Sequence, residues 1–189
     1  MLDLTYDLIN RLKKNKVIEG KNEVILADTG VKEMSKLHQM FSGTVKFESG
    51  NSKILDYTKG NFIKNKFKGI KIAIFYKFKA EYDLLKNVFN NNLTDNLEEF
   101  NSTNKNIALQ IVTGREGISL ASAKYLVYFN IDFSAVSYWQ SRDRLTTMDR
   151  KSNEIYWIFA KNGIEDKIYK TVESKKDFSL NIFKKTYND

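Results

Sequence analysis

Apolar residues recur along this chain with two different periods, and the change from one to the other falls near residue 66. In the first stretch, Leu4, Leu8, Ile9 and Leu12 stand close to helical spacing behind Asp3, a residue suited to capping, so a helix is predicted over Leu2 to Lys16. Val31, Met34, Leu37 and Phe41 repeat the pattern, with His38 reading as an ordinary helix residue, and Asn51-Ser52 can cap a third helix through Ile54, Leu55 and Tyr57. Residues 1–66 therefore read as a helical lead-in. From Lys71 the pattern becomes short continuous apolar runs, at Ile72 to Tyr76, Ala108 to Val112, Tyr125 to Phe129 and Ile155 to Phe159. Each is followed by helix-like sequence, as in Tyr82, Leu84, Leu85, Val88 and Phe89. Strands buried on both faces and alternating with helices predict an α/β domain over residues 67–189, built on a parallel sheet with right-handed crossovers. Asn90 to Asn92 and Asn101 to Asn106 read as surface loops.

The 189 residues suffice for one core, and a formal net charge of +8 favours a polyanionic partner, although a lysine-rich surface can also be simply solvated. With no cysteine and a single histidine, disulfides, thiolate zinc sites, cysteine nucleophiles and histidine triads fall away. No candidate metal site emerges. No long apolar segment is present and Met1-Leu2-Asp3 lacks the order of a secretory signal, so a cytoplasmic protein without a membrane partner is expected. The absence of proline beside many Lys, Asn and Ile fits AT-rich coding of a bacterial or viral kind.

Candidate chemistry concentrates between Ile111 and Arg150. The loop Thr113-Gly114-Arg115-Glu116-Gly117-Ile118-Ser119-Leu120 joins an apolar run to the small residues Ala121-Ser122-Ala123. Its glycines let backbone approach a ligand closely, and free N–H groups at a following helix start favour an anion; a plain strand-to-helix turn capped by Thr113 or Ser119 fits equally. It is not a Walker A loop, because no Gly-Lys-Ser/Thr follows. Farther on, Gln140 and Arg144 stand four residues apart, on one helical face, and the planar guanidinium fork matches phosphate oxygens. A solvated Arg142-Asp143-Arg144 salt-bridge cluster is the competing interpretation.

Taken in order, the Gly-rich loop, the run Tyr125 to Phe129, Phe133 and the Gln140/Arg144 helix resemble the fifth and sixth motifs of superfamily 2 DNA helicases and translocases, nearest to the Swi/Snf branch. Lys71 to Leu85, with Phe75-Tyr76-Lys77-Phe78, Glu81 and Leu84-Leu85, is similar to the fourth motif. Leu37 to Phe41 and Asn51 to Leu55 resemble that branch's helical lead-in, and Ile155 to Phe159 with Gly163 to Ile168 its last strand and helix. The resemblance covers most of residues 31 to 175. It implies a RecA-like parallel sheet flanked by helices, the C-terminal lobe of a motor that binds ATP between two lobes. Thr113, Gly114 and Arg115 would then face a nucleic-acid backbone, with Lys77 as a further phosphate contact or merely an exposed lysine. Glu116, Gly117 and Ser119 would lie toward the ATP sugar, Gln140 in the nucleotide cleft, and Arg144 and Arg150 would serve catalysis.

Departures from the family pattern bear on that expectation. The position of the second arginine of the sixth motif is Thr147, and Arg150, one turn on, is the candidate replacement. Asn130-Ile131 and Phe133-Ser134-Ala135 stand where the family carries Asp-Pro and Trp-Asn-Pro. Neither a Walker A loop nor an Asp-Glu-x-His motif occurs in the chain, so the resemblance assigns the ATP phosphates and Mg2+ to an N-terminal lobe, in the same or a separate chain. The implied partner is DNA, with RNA left open, and the chain alone is expected not to turn over ATP. The alternative is a non-catalytic nucleic-acid or protein binding module derived from a helicase lobe.

Overall fold

A computed structural model describes residues 1–112, 118–145 and 154–187. The four apolar runs of the second half, joined by a short edge strand that the sequence pattern did not mark, assemble into one parallel sheet. Its strands are β5 (Ile72–Tyr76), β6 (Leu93–Thr94), β7 (Asn106–Gln110), β8 (Tyr125–Tyr128) and β9 (Glu154–Trp157), in the order β6-β7-β5-β8-β9. Successive strand side chains point to opposite faces, and this alternation divides the core into two layers. Ala73, Phe75, Ile107, Leu109, Leu126 and Tyr128 face one layer, whereas Ile72, Ile74, Ala108, Val127 and Phe129 face the other.

The second layer is covered by α3 (Thr58–Lys66) and α4 (Lys79–Phe89), through Ile63, Leu84, Leu85 and Val88. The first is covered by α1 (Asp3–Asn15), α2 (Gly30–Phe41), α6 (Ala135–Arg142), α7 (Ile164–Glu173) and α8 (Leu180–Tyr187). A short α5 (Leu97–Ser102) adds the fully buried Phe100. The architecture is thus a RecA-like α/β sheet with helices on both faces. Residues 1–66 are part of the same core, because Ile9, Leu12, Leu37 and Met40 pack in one cluster with Phe75 and Leu126.

The lead-in holds more than helices. Two antiparallel pairs interrupt it: β1 (Val17–Glu19) with β2 (Val24–Leu26), and β3 (Thr44–Lys46) with β4 (Ser52–Ile54). The helix expected from Asn51 is instead strand β4, and the real helix starts at Thr58. The reason is Asp56. One of its carboxylate oxygens accepts the Thr58 N–H at 2.7 Å, while the other accepts from the Leu2 N–H and the Thr5 hydroxyl, so one buried aspartate secures the starts of both α3 and α1. The chain passes beneath it at Gly43, where φ is +87° and a Cβ would lie 2.4 Å from the Asp56 carbonyl oxygen. In the second half, the stretch read as loop from Asn101 belongs partly to α5, and β7 begins at Asn106. Buried Asn106 is structural: its side chain accepts the Ile72 N–H and donates to the Asn92 carbonyl, joining β5 to the β6 edge.

Because Leu37 is fully buried in the cluster shared with the sheet, Leu37→Ala should lower the stability of the whole domain by roughly 2–5 kcal/mol. Urea unfolding followed by far-ultraviolet circular dichroism and by tryptophan fluorescence should shift together. A separate early transition of the N-terminal helices would contradict the shared core.

Candidate functional site

Strand β5 ends in the turn Lys77-Phe78, and this turn is fixed from beneath by a carboxylate with no solvent exposure. Glu81, in the first turn of α4, accepts both the Lys77 and the Phe78 N–H groups on Oε2, at 2.8 and 2.9 Å. Its Oε1 accepts from the side-chain amide of Asn130, just past the end of β8. The Asn130 carbonyl oxygen in turn accepts the Ile131 N–H and meets Nε2 of His38 on α2. Since Glu81 holds the amide nitrogen of Asn130, the oxygen must face His38, which therefore carries its proton on Nε2. The ring sits edge-on to Phe78 and against Phe133, and its Nδ1 has no hydrogen-bond partner among the described residues.

These surroundings set the charges. Burial, reinforced by the Lys77 ammonium, drives His38 well below the usual imidazole range; the Asn130 bond opposes this only in part. Burial also raises Glu81, against the hydrogen bonds from the Lys77 and Phe78 N–H groups and the Asn130 amide that favour its ionised form. Lys77 pairs with Asp132 and places its ammonium over the Phe133 ring, 4.1 Å from the centroid. Burial pushes Asp132 up, but the charge and hydrogen bond of Lys77, with the Phe133 N–H and the Ser137 hydroxyl, outweigh it and hold the carboxyl below its ordinary value. Lys77 is therefore a half-buried, paired lysine rather than the freely exposed contact that its place after a strand implied.

Above this turn a groove of about 330 Å³ opens between β3, β4 and the start of α4, lined among others by Gln39, Lys46, Ser52, Lys77, Lys79 and Gln110. Its walls are held at the backbone. Gln39 accepts the Lys46 N–H at 2.7 Å and the Lys36 ammonium binds the Lys46 carbonyl, while Gln110 donates to the Lys77 carbonyl at 2.7 Å. Lys46 and Lys79 are exposed, and among the described residues neither enters an ion pair. Sequence reasoning missed Lys46, Lys79, Asn130 and His38. For His38 a signal existed: Met34, Leu37, His38 and Phe41 share the apolar stripe of α2.

The expected nucleotide-facing residues gather elsewhere. As β8 and β9 are parallel neighbours, α6 returns toward the amino edge of the sheet, carrying Gln140 and Arg144 away from the lysine groove. Lys124, bonded to the Lys71 carbonyl, shows that the segment before β8 reaches the same edge. There the Leu120 N–H donates to the Arg144 carbonyl at 2.9 Å, which brings the neighbourhood of exposed Ser119 to the end of the Gln140 helix. At its other end this segment starts beside the groove, with the Ile111 N–H on the Tyr76 carbonyl. Arg144 anchors Nε on the Gln140 carbonyl at 3.0 Å. Arg142 instead lies over the faces of Trp139 and Tyr138, so no Arg142-Asp143-Arg144 ion-pair cluster forms among the described residues. Thr113, Gly114, Arg115, Glu116, Gly117, Thr147 and Arg150 lie outside the described residues.

A separate cavity of about 260 Å³ is mainly apolar, lined by Tyr6, Phe41, Phe62 and Phe159; of the two lysines at its wall, Lys59 is paired with buried Glu165, and exposed Lys161 enters no ion pair among the described residues. Among the described residues no group of acidic, histidine or cysteine side chains could hold a metal ion, and no helix is long and apolar enough to cross a membrane.

No protein-family model matches this sequence, and no curated protein matches it. Among solved structures the chain is similar to the C-terminal part of the Fun30 ATPase domain, with a TM-score of 0.53 and 22% identity, over 66% of this chain and 48% of that one. This chain thus aligns with about half the length of the solved chain. At that identity the likeness is one of fold, and it agrees with the five-stranded parallel sheet and its flanking helices.

The buried state of His38 has a pH signature. Its folded-state value lies below the unfolded value near 6.5, so as pH falls below about 6.5 the unfolded chain takes up a proton that the folded chain does not. The His38 contribution to stability is therefore fully present above that pH and is lost as pH drops toward the folded value. Glu81 has the opposite sign, its contribution being complete below about 4.5 and lost as pH rises through its raised value. Urea titrations across the mildly acidic range should show wild-type stability falling more steeply with acidification than that of His38→Gln. Parallel curves would contradict a buried neutral imidazole.

Proposed function

We propose that this chain is the C-terminal RecA-like lobe of an ATP-dependent DNA helicase or translocase of the Swi/Snf-like kind. The observation that carries the reading is the segment from Ile111 to Leu120, tied beside the lysine groove at one end and to Arg144 at the other. A motor needs such a connection between a nucleic-acid track and an ATP site. In this reading the groove of Lys46, Lys77 and Lys79 grips the phosphate backbone, together with Thr113, Gly114 and Arg115, through charge rather than base recognition. DNA is the proposed partner, and an RNA backbone would satisfy the same lysines.

Gln140, Ser119, Glu116 and Gly117 would contact ATP from this side, and Arg144 and Arg150 would bring positive charge to the phosphates. Bound Mg2+ would supply the remaining charge neutralisation, held by an N-terminal lobe that carries the Walker A loop this sequence lacks. One sequence observation favours a second reading, a non-catalytic module that binds nucleic acid or protein without ATP: Thr147 stands where the family has its finger arginine, and a hydroxyl cannot stabilise developing phosphate charge as a guanidinium does.

Two measurements test these readings. Fluorescence anisotropy with a labelled DNA duplex should show weak binding that falls steeply with salt. In Lys46→Ala/Lys79→Ala the slope of log affinity against log salt should diminish by about 2, one counterion release per lost lysine. Salt-independent binding, or none at low salt, would remove the groove assignment. For the ATP site, the chain alone with DNA should show no turnover. Joined to its N-terminal lobe, Arg144→Ala and Arg150→Ala should each lower steady-state ATPase by roughly a hundredfold, the scale of a transition-state charge contact. No loss at either arginine would leave the binding-module reading in front.

A further inference from the structure

Helix α2 touches both walls of the lysine groove, although it contributes no ammonium group to it. On one side Lys36 and Gln39 hold the Lys46 backbone. On the other, His38 reaches Asn130, Asn130 reaches Glu81, and Glu81 holds the N–H groups of Lys77 and Phe78. Three fully buried polar side chains from α2, α4 and the end of β8 are thus joined in series, and each depends on the orientation of the next. The His38 ring also packs between Phe78 and Phe133, the ring beneath the Lys77 ammonium. Asp132 and Phe133, which hold that ammonium, stand two and three residues past Asn130, so one amide bears on both turns at the carboxyl edge.

We propose that His38 is a positioning residue for nucleic-acid binding: through Asn130 and Glu81, the N-terminal segment latches the Lys77-Phe78 turn in the orientation that presents its lysine to a phosphate backbone. This rests on the reading of the groove as a polyanion site. The consequence is that a neutral, fully buried side chain controls an electrostatic contact it never touches. Without the Nε2 donor, the Asn130 oxygen keeps only the Ile131 N–H, and the amide is held less firmly. A less firmly held amide donates less well to Glu81, and the turn that this carboxylate grips loosens with it.

The test compares His38→Phe, which keeps an aromatic ring and removes the donor, with His38→Gln, which carries an N–H donor at similar reach. Neither changes net charge at neutral pH, since His38 is neutral there. With a fluorescein-labelled DNA duplex, His38→Phe should bind about tenfold more weakly with a salt slope lower by about 1, as for a lost phosphate contact, and His38→Gln should restore both. Wild-type affinity and slope in His38→Phe, alongside weakened binding in Lys46→Ala/Lys79→Ala, would overturn the latch and leave the groove standing. If the wild-type chain binds no DNA, the groove reading fails, and the latch is judged on amide exchange. Faster exchange at Lys77 and Phe78 in His38→Phe, reversed in His38→Gln, upholds it; unchanged exchange overturns it. Should His38→Phe fail to fold, the wild-type protein decides by nitrogen-15 NMR. The His38 ring nitrogens should shift together with the Lys77 and Phe78 amides as DNA is added, and ring resonances unmoved at saturation would overturn the proposal.

Discussion

Glu81 is the group on which the carboxyl edge of the sheet depends. A carboxylate removed from water is costly unless its lone pairs are filled, and here two backbone N–H groups and one side-chain amide fill them. Those donors belong to two different turns, one after β5 and one after β8. Satisfying the carboxylate therefore fixes the turns relative to each other, and the orientation of Asn130 that results leaves only one tautomer open to His38. Local capping of a helix and long-range docking of the N-terminal segment are thus one interaction.

This arrangement divides the lysines into two kinds. Lys77 is paired with Asp132 and lies over Phe133, so its position is sharp but its charge is partly answered within the protein. Lys46 and Lys79 are exposed, with backbones held in place by their elements, and their charge is available to a partner. An excess of eight positive charges would produce a positive potential in many arrangements. What makes this groove a candidate site is that its lysines stand on backbone gripped by buried amides and a carboxylate, which spares the entropy of ordering them on binding.

At the amino edge of the sheet the same economy of contacts separates two neighbouring arginines. Arg142 lies over aromatic faces, whereas Arg144 is anchored by Nε on the Gln140 carbonyl. The Leu120 to Arg144 backbone bond then joins two segments far apart in sequence. A change in the loop that begins beside the lysine groove has a direct covalent route to this edge.

The sequence by itself determined the four main strands of the sheet and the helical cover that follows several of them, because continuous apolar runs such as Ile72 to Tyr76 can be satisfied only by burial on both faces; the two-residue edge strand β6 and the short α5 left no such mark. It also marked Gln140 and Arg144 as neighbours on one helix, since that relation is local. The antiparallel pairs of the lead-in were not legible: strands of three residues carry too few positions for a period to register, and Asp56, which starts the third helix, depends on Leu2 and Thr5 across 51 to 54 residues of sequence. Whether Lys77 is free or paired, and whether Arg142 or Arg144 is available, rested on Asp132, Trp139 and Tyr138 reaching those charges in space. His38 shows the limit most plainly. Its place on an apolar stripe foretold burial, but only the tertiary structure supplied Asn130, 92 residues away, and with it the reason a polar ring is stable there.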